Sequence, residues 1–173
     1  NSANSLDVLK DMQLKRVVVT GMGMVTALGN DVPTNWQHLL QGKSGAGPIT
    51  HFDASKFKTQ FACEVKDLDM SSLLDVKEAR RYDRTIHYAI KSAEEAIQDA
   101  KIDLQNENPL RCGVIYGGGM GGVNTMDVNI SEFGAGDGTP RYNPFFIPMI
   151  ISNMAAGMLA IRYGFKGVNF ATT

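Results

Sequence analysis

Hydrophobic and polar positions fall into several distinct periods along the chain. The run Lys15-Arg-Val-Val-Val-Thr20 is short, apolar and β-branched, and Gly21 and Gly23 bound it. It predicts a strand buried on both faces of a parallel or mixed sheet. Asp31 to Gly42 predicts a short helix, capped near Asn30 or Asp31 and stopped by Gly42. Residues 43–59 hold Gly45, Gly47 and Pro48 without a clear period and read as loop, and Gln60–Val65 reads as a strand. The clearest helix is predicted from about Arg84 to Lys101. There Ile86, Ala89, Ile90, Ala93, Ile97 and Ala100 recur at three- and four-residue steps, while Lys91, Glu94, Glu95 and Asp99 face away. Beyond a polar link at residues 106–109, Arg111–Tyr116 reads as another strand, running into Gly117-Gly-Gly-Met-Gly-Gly122, and a second glycine-rich stretch spans Gly134–Gly138. Pro148 suits the first turn of a helix reaching about Tyr163 and ended by Gly164. A last strand is predicted at Gly167–Thr173. Strands alternating with helices make an α/β pattern, a mixed sheet flanked by helices.

Composition narrows the class. With 43% hydrophobic residues in 173, the chain can bury one sizeable core, which excludes a disordered tail, a coiled coil or a collagen-like repeat. A formal net charge of −1 argues against a general nucleic-acid binder. Cys63 and Cys112 lie far apart without metal-type spacing, so free buried thiols in a reducing, cytoplasmic compartment are expected. Residues 1–13 are polar and read as a leader or frayed terminus. Tyr142–Ile161 contains no charged residue, yet its prolines, asparagines and glycine interrupt the roughly 20 apolar residues a span needs. A buried helix is expected there, and no membrane association.

Two glycine turns invite a nucleotide reading. Thr20-Gly-Met-Gly-Met-Val-Thr26 follows a strand, but Thr26 stands at the third glycine position. Gly117-x-Gly-x-x-Gly122 keeps the spacing, but no strand ending in Asp or Glu follows within about 20 residues. Tight strand-to-helix turns are the commoner explanation. Met120 is either ordinary core, the more frequent case, or the adjustable wall of a ligand pocket. Lys77, Arg80, Arg81 and Arg84 recur at helical steps, giving one cationic face that either grips an acidic partner or is solvated and neutralised by Glu78 and Asp83. His38, His51 and His87 share no metal spacing, and no metal site or cofactor is expected. Cys63 and Cys112 read as packing residues in strands, and no nucleophile with its base is visible.

Taken together, Lys15–Thr26, Ser44–Ile49, His51-Phe-Asp53, Lys77–Arg81, Gly117–Gly122, Asn143–Pro148, Asn153–Gly157 and Tyr163-Gly-Phe resemble a β-ketoacyl-[acyl-carrier-protein] synthase of the elongating type. The resemblance spans residues 14–173 in order. It implies the N-terminal half of a thiolase-like fold of αβαβα layers, normally a homodimer. It also implies fatty-acid chain elongation by decarboxylative Claisen condensation of acyl and malonyl thioesters held on acyl carrier protein. In the family a Val-Asn-Phe-Ala-Thr-Thr strand leads into the cysteine nucleophile, and this sequence stops at Thr173, so no catalytic residue is expected within it. On the resemblance, Met120 matches a residue gating the acyl pocket, and Phe146 and Ile147 match residues reaching the partner subunit's pocket. Lys77, Arg80, Arg81 and Arg141 match positions that meet the acidic carrier protein. The rival readings are a catalytically inactive, chain-length-factor-like subunit and a nucleotide-binding oxidoreductase domain.

Overall fold

The computed structural model describes residues 15–173; the expected leader at 1–13 lies outside the described residues. In chain order the elements are α1 (Val32–Leu40), β1 (Gly47–Pro48), β2 (Phe61–Ala62), α2 (Val76–Ala79), α3 (Arg84–Ala100), β3 (Val114–Gly117), α4 (Val123–Ala135), α5 (Phe146–Ile150), α6 (Met154–Tyr163) and β4 (Asn169–Thr172). The α/β class holds. The strands fall into two separate pairs: β1 and β2 antiparallel, β3 and β4 parallel.

The core lies where α6 packs on the parallel pair and α3 packs on α6. Met70, Leu74, Ile86, Ile90, Ala155 and Leu159 form it, with Val114 and Tyr116 packed against them. The alanines of α6 explain the close contact, because Ala155 and Ala156 put almost nothing between helix and strand. α3 follows its periodicity: Ile86 and Ile90 are 3% and 2% exposed. Asp83 caps its first turn through Thr85 N–H, and Lys101 closes it in the left-handed region at φ 53°. Tyr163 Oη donates to Glu94 Oε2 at 2.9 Å, pinning the end of α6 to α3. Burial and that carboxylate push the Tyr163 phenol up to about 12, so it stays a donor across the ordinary pH range. α1 begins as expected, since Asp31 Oδ1 accepts from Thr34 N–H at 2.7 Å and the helix gives way at Gln41 and Gly42.

Several expectations are corrected. Lys15–Thr20 makes no ladder among the described residues, and Val17 and Val19 are 91% and 82% exposed. Downstream of it, the chain lies against α3: Met22 N–H donates to Asp99 Oδ2 (3.0 Å) and Met24 N–H to Glu95 Oε2 (2.9 Å). Side-chain carboxylates thus take the place of a neighbouring strand, so Glu95 and Asp99 do not simply face away. Gly23 allows this approach, since a Cβ there would run into the Ser92 carbonyl. The expected loop at 43–59 contributes β1, and the expected strand at 60–65 shrinks to the two residues of β2. α4 has no counterpart in the hydrophobic pattern. The single helix expected from Pro148 to Tyr163 is two helices, broken at Ile151–Asn153, with Pro148 inside the first. Its buried character is partial: Ala155, Ala156 and Leu159 are buried, while Ile147 and Ile161 are 57% and 75% exposed. Cys63 is exposed and Cys112 half-buried, and neither lies in a strand, so the expectation of buried thiols packed in strands fails for both: Cys63 lies just past the short β2, and Cys112 closes the 3-10 turn at Pro109–Arg111 ahead of β3. No helix among the described residues is long and apolar enough to cross a membrane.

Candidate functional site

The glycine turn Gly117–Gly122 carries the chain from β3 into α4, at the end of the strands where α/β proteins place their sites. Packing fixes its last two residues. Gly122 N–H donates to Ile150 O at 3.2 Å. A Cβ on Gly122 would meet Met149 O and stand 2.8 Å from Asp83 Cγ. Only glycine fits a crossing this tight. Beside the turn lies a cavity of about 280 Å³, lined by Met120, Gly121, Met126, Ile150, Ser152 and Thr173 among others. Met120 is 64% exposed at its mouth, so the ordinary-core reading is wrong for it: the turn lifts it off the packed face.

Asp83 holds this corner together, and reading it as a surface counter-charge is corrected. It is 5% exposed. One oxygen accepts from Thr85 N–H and Thr85 Oγ1, each at 2.9 Å, and the other accepts from Thr125 Oγ1 at 2.6 Å. Burial pushes the carboxyl up, but the hydrogen bonds from Thr125 and Thr85 outweigh it and hold it below the usual carboxylate range. The carboxylate therefore sits in the first turns of α3 and α4 together. This disposes of a pyrophosphate at Gly117–Gly122, because a fixed negative charge already occupies that helix start. The Thr20–Thr26 turn fails differently: no helix begins behind it until Val32. Asp83 was findable as a cap preceding Arg84-Thr85; its grip on Thr125 had no signal in the chain.

Phe146 and Ile147 stand together on α5 without lining the cavity. Phe146 is half-buried and stacks on Tyr142 (ring centroids 5.2 Å apart), which stacks on Phe133 (5.9 Å). The cations do not share one helical face. α2 ends at Ala79, Arg80 caps it, and Arg81 follows in the link to α3, because Asp83 starts a new helix. Lys77 and Arg80 are exposed. Arg81 lies over the Phe145 ring, 4.9 Å from its centroid, and Arg84 Nη1 donates to His51 Nε2 at 2.7 Å. Arg141 pairs with Asp137 at 2.9 Å. His87 Nε2 meets Ala79 O (3.1 Å) and His38 Nδ1 meets Leu28 O (2.6 Å), both structural contacts. Among the described residues no group of His, Cys, Asp and Glu is arranged to hold a metal ion.

Helices laid on a parallel pair whose first strand empties into a packed glycine turn give an α/β architecture. The chain belongs to the β-ketoacyl synthase family, matching its N-terminal domain over residues 14–173. It is 44% identical over 160 residues to the 3-oxoacyl-[acyl-carrier-protein] synthase 2 of Coxiella burnetii, covering 92% of this chain and 38% of the relative. It is 43% identical over 164 residues to the protein of the same name from Synechocystis, covering 95% of this chain and 39% of the relative. The chain thus spans well under half the length of these relatives. A solved structure described as the ishigamide ketosynthase/chain length factor matches with a TM-score of 0.83 at 25% identity, covering 92% of this chain and 40% of that one. A β-ketoacyl synthase from Burkholderia phymatum shares the fold, with a TM-score of 0.68 at 22% identity over 90% of this chain and 38% of that one.

Proposed function

We propose that this chain is the N-terminal part of an elongating β-ketoacyl-[acyl-carrier-protein] synthase, a cytoplasmic, homodimeric acyltransferase of fatty-acid synthesis. The observation that carries the reading is the cavity at Gly119–Val123 beside Thr173, in a chain 44% identical to a relative named 3-oxoacyl-[acyl-carrier-protein] synthase 2. In the reaction a cysteine thiolate takes the acyl group from its carrier. Malonyl-carrier protein loses CO2, the resulting carbanion attacks the acyl carbonyl, and the thiolate leaves. Met120 then walls the acyl chain, and Phe146 and Ile147 extend toward the partner subunit's pocket. Lys77, Arg80, Arg81 and Arg141 meet the acidic carrier protein, with Lys77 and Arg80 exposed for that purpose. The free thiols of Cys63 and Cys112 accord with a reducing compartment.

Neither cysteine of this chain sits at a strand-to-helix turn, where a helix start would lower its pKa. The 173-residue chain alone is therefore expected to form no β-ketoacyl product from acyl- and malonyl-carrier protein. Product formation would show that the chemistry has been misplaced. Carrier binding is tested separately by Lys77→Glu with Arg80→Glu: affinity should fall and its salt dependence flatten. Unchanged affinity would remove these residues from the docking surface.

A further inference from the structure

Two residues apart in the link between α2 and α3, Arg81 and Asp83 reach different parts of the site. Asp83 is buried and fixed by Thr85 and Thr125, so the backbone beside it is anchored to the start of α4. Arg81 is exposed, and its guanidinium rests on Phe145, itself 38% exposed. Phe145 belongs to the turn that opens α5: its N–H donates to Asn143 Oδ1 at 2.8 Å, and Phe146 N–H donates to Asn143 O at 2.8 Å. The next two residues are Phe146 and Ile147. Lys77, Arg80 and Arg81 thus differ in how free they are. Of these three, Arg81 is the one with an aromatic partner among the described residues, and it leaves that partner when it turns toward an anion.

We infer that the Arg81–Phe145 contact is a releasable catch: docking of an acidic carrier protein draws Arg81 off the Phe145 ring and frees the turn that positions Phe146 and Ile147. This rests on the carrier-binding reading above and adds a coupling to it. The Asp83 clamp lets the arginine swing without disturbing Gly122. A cation over an aromatic face and a cation against a carboxylate cannot both be kept at full strength. Docking therefore pays for the lost ring contact, and the ring competes with the carrier protein.

Competition has a signature that a packing role lacks. Phe145→Leu, which keeps an apolar side chain at a partly exposed site, should tighten carrier binding by roughly 2- to 5-fold, the worth of an exposed cation–π contact. In an Arg81→Gln background the same substitution should change nothing. The experiment measures acyl carrier protein binding to the surface-immobilised chain for the four variants of this cycle, with circular dichroism confirming that each is folded. Weaker or unchanged binding of Phe145→Leu, while the unsubstituted chain binds, overturns the catch and leaves the docking surface standing. Binding absent from every variant overturns both.

Discussion

Asp83 keeps a negative charge almost out of contact with water, and its stability consequences follow from that. Its carboxyl lies below the ordinary value in the folded chain because Thr125 and Thr85 donate to the charged form. A depressed folded pKa adds stability above the unfolded value of about 3.9, and that stability is lost as pH falls through the folded value. Asp83→Asn should cost about 1–3 kcal/mol at pH 7 and flatten the acid limb of the stability curve, which urea titrations at several pH values would show. Gly122→Ala should cost a similar amount, about 1–3 kcal/mol, because its Cβ meets the Met149 carbonyl and Asp83 Cγ. A melting temperature unchanged by that substitution would mean the crossing is looser than it looks. At this scale the sequence was informative about types and poor about partners. The glycines of 117–122 announced a close crossing, but which atoms they cross was set by Asp83 and Met149, distant in the chain. Met120 could not be told from core by its chemistry, since exposure depends on what the turn does with it.

Elements were legible in proportion to how much of their cause is local. α3 carries its own period and its own cap, and it formed as expected from Arg84 to Ala100. α4 was invisible because Asn124, Thr125, Asp127, Asn129 and Ser131 are weak helix formers and its cap, Gly122, offers no side chain. Its start is completed by Asp83 from another element. The Lys15–Thr20 run shows the opposite error: a strong strand pattern states what a segment is able to pair with, and pairing needs a neighbour. Two substitutions test these local causes. Asp31→Ala should destabilise α1 by about 0.5–2 kcal/mol through the lost Thr34 hydrogen bond. Lys101→Gly should instead stabilise the chain, by up to about 1 kcal/mol, because it relieves the left-handed backbone that closes α3. Chemical denaturation reads both, and equal signs would contradict the account.

At the scale of the whole molecule, many large apolar side chains among the described residues stand exposed around a small core. Val17, Ile115, Ile161 and Val168 are 91%, 67%, 75% and 64% exposed, and an open hollow beside α1 is lined by Met22, Met24, Leu28, Trp36 and Leu39. Patches of this kind drive association. Sedimentation should show mass rising with concentration across the micromolar range, and Val17→Lys with Val19→Lys should reduce it without lowering the melting temperature. A monomer throughout that range would refute this. The class of fold was readable from the alternation of elements, but where the core closes was not, because it depends on β3 finding β4. Val114 pairs with Asn169 and Gly117 with Thr172, and no other strand flanks β3 among the described residues. During synthesis β3 therefore leaves the ribosome with its edges bare and waits until residues 118–172 have followed it. Over that interval the half-made protein is a client for whatever shields nascent chains, and a pause in translation within α4 or α5 would lengthen its exposure.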